Sequence, residues 1–75
     1  MGQFAVILVH STSHAIQAER VLKRVDLPAK LIPTPRDLSS DCGSAVRIRA
    51  GDRARGEEVL NEAGVPIDRI EPLDE

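Results

Sequence analysis

Phe4-Ala5-Val6-Ile7-Leu8-Val9 runs directly into His10-Ser11-Thr12-Ser13, and the change of character at residue 10 frames the rest of the chain. A short, continuous apolar run reads as a central strand buried on both faces. The polar segment after it is rich in N-cap residues, so a helix is expected to begin there. Ala15, Ala18, Leu22 and Val25 then recur at helical spacing as the inward stripe, while Gln17, Glu19, Arg20 and Lys23 point outward. Glu19 and Lys23 form an i,i+4 pair in the favourable orientation, worth a few tenths of a kcal/mol. Asp26-Leu27-Pro28 ends the helix, because the residue before a proline is pushed out of the helical region.

Downstream, Ala29 to Ile32 reads as a second strand, followed by a loop from Pro33 to Gly43. That loop is long for a hairpin connection, where two to five residues are usual, and loops of this kind are commonly functional. Ala45 to Arg49 alternates, with Val46 and Ile48 facing one way and Arg47 and Arg49 the other, as in a half-buried strand. Gly51-Asp52 supplies a turn and an N-cap. Val59, Leu60 and Ala63 form the stripe of a second helix, with Gly64 at its C′ position. Gly56 inside that helix costs up to ~1 kcal/mol relative to alanine and is expected to permit close helix–sheet contact. A fourth strand is expected at Ile67 to Ile70, with Pro72-Leu73-Asp74-Glu75 as a frayed acidic end.

The order strand–helix–strand–strand–helix–strand gives one small α+β domain over residues 1–75. It predicts a ferredoxin-like split βαβ sandwich: an antiparallel sheet with two helices on one face, the first and third strands adjacent at its centre. Such a sheet has one face without helices. Apolar atoms of Ala5, Ile7 and Val9, or of their alternates, are then expected to remain on it, which predicts a homodimer or packing against another protein.

Composition narrows the function classes. A chain of 75 residues has no room for a deep active-site cavity, so chemistry is expected at a surface loop. The net charge of -2 offers no general attraction to nucleic acid or anionic lipid. Phe4 is the only aromatic residue, which removes the stacking platforms of a single-strand binder. No apolar run approaches the ~20 residues of a membrane span, and the N-terminus lacks the features of a secretory signal. Neither nucleic acid nor membrane is therefore expected as a partner. Cys42 is the only cysteine, which fits a reducing cytoplasm.

A lone cysteine packs as a small hydrophobe, ligates metal or works as a thiolate. Its neighbours Ser40, Asp41 and Gly43 are polar or small and argue for partial exposure. In the expected topology, the end of the first strand and the start of the third share one sheet edge, where the first helix also begins. The loop carrying Pro35, Arg36 and Cys42 is therefore expected to close over His10, Ser11, Thr12 and His14. A helix N-terminus carries partial positive charge and unpaired N–H groups, and it favours a nearby thiolate. Arg36 adds to that field, and Gly43 lets backbone N–H groups approach sulfur or an anion. Asp41 works the other way, since so close a carboxylate raises a thiol pKa unless a cation offsets it.

Blander readings stand beside these. Arg36 pairs as readily with Asp37 or Asp41, Ser11-Thr12-Ser13 serves as simple capping, and Arg47 and Arg49 make a solvated face. His10, His14 and Cys42 would give three zinc ligands but no fourth, so no metal site is expected. No CxxC, Gly-rich phosphate loop or specific Ser–His–Asp set is present.

Ile32-Pro33-Thr34-Pro35-Arg36, followed by Leu38-Ser39-Ser40-Asp41-Cys42-Gly43, resembles a small bacterial family described as selenium/sulfur carrier protein-like. Ser11-Thr12-Ser13-His14-Ala15 and a helix with Glu19 and Leu22 agree with it, so the resemblance covers about residues 4 to 64. It implies that Cys42 holds a sulfane sulfur or selenium as a persulfide or perselenide. It implies further that Arg36 stabilises the anion and that the strand-to-helix turn lines the site. A cysteine desulfurase or selenocysteine lyase would be the donor, its pyridoxal phosphate belonging to that partner, and a further protein the acceptor. The carrier itself would need no cofactor. The alternative is a non-catalytic interaction or ligand-sensing module whose cysteine is structural.

Overall fold

The computed structural model describes residues 3–38 and 43–73. Its elements are β1 (Phe4–Leu8), α1 (Thr12–Arg24), β2 (Ala29–Pro33), β3 (Ser44–Arg49), a short 3-10 turn (Ala50–Asp52), α2 (Arg53–Ala63) and β4 (Arg69–Leu73). The strands lie in the order β2-β3-β1-β4, with every neighbouring pair antiparallel. This is the ferredoxin-like split βαβ arrangement, with β1 and β3 at the centre as expected.

Strand alternation divides the apolar residues between two clusters. Ala5, Ile7 and Val9 pack with Val46, Ile48 and Ile70 of the sheet, with Ala15, Ala18 and Leu22 of α1, and with Leu60 of α2. Both helices thus cover the same face. Val6, Leu8 and Ala45 point to the other face and are fully buried there, with Ile32, Leu38 and Leu73 packed against them. The strand is therefore buried on both sides, as its unbroken apolar run implied. The expectation of exposed apolar atoms on the helix-free face fails at these three residues. Leu38, from the long loop, and the flanking Ile32 and Leu73 surround them and are themselves half-buried, as is Phe4. The apolar surface of that face thus lies at these positions and not over the strand centre.

Helix α1 starts where the serine cluster indicated. Ser11 is extended (φ -152, ψ 156), and its Oγ accepts the His14 N–H at 3.3 Å. The helix ends earlier than its stripe suggested. It stops at Arg24, and Val25 is 38% exposed instead of facing inward. The stop is a Schellman motif: the Asp26 N–H bonds to the Lys23 carbonyl at 3.1 Å and the Leu27 N–H to the Leu22 carbonyl at 3.0 Å. Asp26 takes the left-handed position (φ 63), so the chain turns two residues before Pro28. Leu22 and Leu27, the residues this motif joins, both enter the helix-side core.

Helix α2 repeats this ending with glycine: Gly64 at φ 74, and Val65 N–H bonded to Leu60 C=O at 3.0 Å. Its start differs from expectation. Asp52 stands at the N-cap but makes no side-chain cap bond, because its Oδ2 is taken by Arg49 Nε at 3.2 Å. Gly56 is buried, yet a Cβ there would meet Ile48 Cδ1 at 3.4 Å and Leu22 Cδ2 at 3.6 Å, which is ordinary contact. Close packing does not require glycine at this position. Gly56→Ala is expected to stabilise the protein by about 0.5–1 kcal/mol through helix propensity. A urea midpoint that rises with unchanged m would show it, and a fall would mean that the helix must move to admit the methyl.

The two outer strands end the sheet by the same device. On β2, the Leu31 N–H donates to Glu19 Oε2 at 2.9 Å, and two residues on Pro33 has no N–H to offer. On β4, the Ile70 C=O accepts from Arg53 Nη2 at 2.8 Å, and two residues on stands Pro72. Pro72 and Leu73 accordingly pair with Ala5 and Phe4 and are not frayed, since an outward-facing strand position needs no N–H. Capped edges of this kind resist the addition of a further strand.

Candidate functional site

The registers decide which chain ends meet. Leu8 lies opposite Ala45, and Pro33 opposite Ser44, so the ends of β1 and β2 and the start of β3 share one sheet edge. Helix α1 begins just beyond β1 at the same edge. Val9, His10 and Ser11 connect them, and Thr12 and His14 sit in the first helical turn. His10 and Thr12 are exposed, whereas Ser11 and His14 are half-buried. The serine hydroxyls are linked, with Ser11 Oγ and Ser13 Oγ 3.1 Å apart. The His14 ring presents a buried Nδ1 that has no hydrogen-bond partner among the described residues.

The long loop is tied at its base and at its tip. At the base, the Thr34 N–H donates to the Gly43 carbonyl at 3.0 Å, one step beyond the Pro33–Ser44 pair. At the tip, the Leu38 N–H donates to the Pro35 carbonyl at 3.0 Å, closing a β-turn with Arg36 and Asp37 at its corners. Leu38 then packs against the cluster of Val6, Leu8 and Ala45. This part of the loop is thus anchored on the helix-free face, whereas α1 packs on the opposite one. The expectation that it closes over the helix start needs correcting to that extent. The reason is hydrophobic: one leucine in an otherwise polar loop finds its apolar surface on the side the helices leave free.

Arg36 is exposed at the turn and makes no hydrogen bond or ion pair among the described residues, with Asp37 or otherwise. Pro35 is half-buried. A Cβ on Gly43 would meet nothing within 4 Å, so packing does not demand glycine there. Cys42 lies outside the described residues, together with Ser39, Ser40 and Asp41. Among the described residues, no three His, Cys, Asp or Glu side chains come together as metal ligands. No helix there is long and apolar enough to cross a membrane.

A helix start carries partial positive charge. Helix α1 begins at this edge with His14 in its first turn, whereas the Arg36 turn is held on the other face of the sheet by Leu38. Leu38 was missed in the sequence as a positioning residue. The available signal was its isolation as the one large apolar side chain in the loop.

A family model described as "Putative Se/S carrier protein-like" matches residues 4–72. No curated protein matches the chain, and no solved structure matches it.

Proposed function

Because the chain belongs to the Se/S carrier protein-like family, we propose that Cys42 is its carrier thiol, taking up one sulfur or selenium atom from a donor enzyme and passing it on. The match over residues 4–72 is the observation that carries this reading. The donor class is a cysteine desulfurase or selenocysteine lyase, whose pyridoxal phosphate generates the enzyme-bound chalcogen. In the uptake step, the Cys42 thiolate attacks the terminal sulfur of the donor's persulfide. A new S–S bond forms on Cys42, the donor S–S bond breaks, and the donor leaves as a thiolate. No electrons are gained or lost overall, so the step needs no oxidant or cofactor on the carrier. Delivery repeats the exchange, with an acceptor thiolate attacking the sulfur held on Cys42.

The protein's contribution is to favour the anion at both stages. Gly43, which follows Cys42, stands at the sheet edge where α1 begins, and the Arg36 turn adjoins that edge. Partial positive charge from a helix start and a nearby guanidinium both stabilise a thiolate or persulfide over its protonated form. His10, Ser11, Thr12 and His14 line the helix side of this site, and Pro35 and Gly43 set the reach of the loop.

Alkylation rate against pH tests the electrostatic part. The apparent Cys42 pKa is expected to fall below the ordinary free-cysteine value of about 8.5. Arg36→Ala is expected to slow alkylation at neutral pH by roughly two- to five-fold, the scale of one exposed charge interaction. A value at or above the free-cysteine range, unmoved by Arg36→Ala, would contradict an activated thiolate.

A further inference from the structure

Helix α1 and the outer strand β2 meet along a line that ends at the edge where Gly43 stands. The Glu19 carboxylate, 2.9 Å from the Leu31 N–H, fixes which flank of α1 overlies the rim of β2. Ile16, Glu19, Arg20 and Lys23 stand three or four residues apart along the helix, so they share that flank. Leu31 lies opposite Val46, whose side chain enters the helix-side core, so Leu31 faces the same side of the sheet, beside α1. Among the described residues the exposed large apolar side chains are Ile16, Val25 and Leu31. Two of these therefore border the Glu19 link, one on each element.

Charge is distributed unevenly about this line. Residues 12–33 carry four basic side chains (Arg20, Lys23, Arg24, Lys30) and two acidic ones (Glu19, Asp26), in a chain that has ten basic and twelve acidic in all. Of the two carboxylates, Glu19 is already engaged, by the Leu31 N–H and by Lys23 at 3.7 Å. Arg20 is exposed and makes no hydrogen bond or ion pair among the described residues. Two apolar side chains with cations beside them suit an acidic surface that brings an apolar side chain of its own. Ile16 lies about 6 Å along α1 from Thr12, and Leu31 about 7 Å along β2 from Pro33, so the patch opens on the edge where the carrier loop is rooted. The chain's own acidic residues Glu57, Glu58 and Glu62 lie on α2. Their pairing with this patch in a second copy would be a head-to-tail contact, not a self-contained dimer.

We propose that Ile16, Arg20, Lys23 and Leu31 form the docking surface for the donor enzyme, which meets it with an acidic surface bearing an apolar side chain. That the partner is the donor rests on the carrier reading; the chemistry of the patch does not. Docking here sets the partner about one helical turn from the edge at which Cys42 joins Gly43.

The test follows sulfur uptake by intact mass at increasing carrier concentration, with a purified cysteine desulfurase and cysteine as the donor system. A parallel arm uses glutathione persulfide, which gives its outer sulfur to the Cys42 thiolate, leaves as glutathione thiolate and has no surface to dock. Arg20→Glu and Ile16→Ser are each expected to raise the concentration for half-maximal uptake from the desulfurase about five- to ten-fold, the scale of one interface contact. Charging from glutathione persulfide should stay as in wild type. Both positions are exposed, so neither change is expected to disturb folding. Added sodium chloride should weaken uptake by wild type more than by Arg20→Glu. Arg55→Glu, the same charge reversal at an exposed position on α2, should have no effect. Half-saturation unaltered in both variants, or raised equally by Arg55→Glu, would overturn the docking surface while leaving the carrier thiol standing. Self-association of wild type on sedimentation that Ile16→Ser abolishes would assign the patch to a second copy and overturn it too. Wild type charged by neither donor would sink the carrier reading, and this proposal with it.

Discussion

Leu8→Ala is expected to cost about 2–4 kcal/mol, although its side chain lies on the face of the sheet that no helix covers. Leu8 is fully buried, in one cluster with Val6 and Ala45, against which Ile32, Leu38 and Leu73 pack. Removing three buried carbons forfeits their transfer free energy and leaves a cavity that a sheet backbone closes poorly. For a domain of this size, total stability is on the order of 4–11 kcal/mol, so the loss is a large fraction of the whole. The urea midpoint should fall with little change in m. A cost below about 1 kcal/mol would mean that solvent already reaches this face. Leu38→Ala should weaken the same cluster from the loop side, and the two changes should be non-additive because the residues share partners.

That prediction bears on the site, because Leu38 also anchors the turn that presents Arg36. The second cluster is small, but it links fold stability to the placement of a loop charge.

How much of this was visible in the residues follows from the range of each interaction. The six-residue apolar run from Phe4 to Val9 that contains β1 announced burial on both faces, and Ser11 announced the helix start three residues before the N–H it caps. Both signals are local. The ending of α1 was misjudged, because Val25 fits the helical stripe while Asp26 takes a left-handed position that stops the helix first. Asp52 looked like a cap in its own segment but spends its carboxylate on Arg49. Pro72 looked like a break, although an outward-facing position on an edge strand tolerates it. In each case a competing partner or a position in the sheet decided the outcome.

The same distinction applies to the candidate site. Antiparallel pairing of β1 with β3 brings His10, Ser11, Thr12, His14 and Gly43 to one edge, and the order of elements was enough to anticipate it. The face on which the Pro35–Leu38 turn settles was not legible. It depends on Leu38 meeting Val6 and Leu8, some thirty positions away, on a face expected to be bare. The capping of Leu31 by Glu19 and the meeting of Lys30 with Arg47 are likewise products of register. No local pattern reports them.

The second large effect concerns Cys42 itself. No other cysteine is present in the chain, so Cys42→Ser is expected to abolish chalcogen uptake entirely and not merely slow it. A serine hydroxyl is not ionised near neutral pH and forms no persulfide, so nothing else in the molecule can substitute. Arg36→Ala, in contrast, should leave the capacity for uptake and lower only its rate.

Intact-mass analysis after incubation with a cysteine desulfurase and cysteine tests the carrier assignment most directly. The account predicts that wild type gains the mass of one sulfur atom, that a thiol reductant removes it, and that Cys42→Ser gains nothing. An unmodified wild-type protein alongside a demonstrably active desulfurase would contradict it, as would an equal adduct on Cys42→Ser.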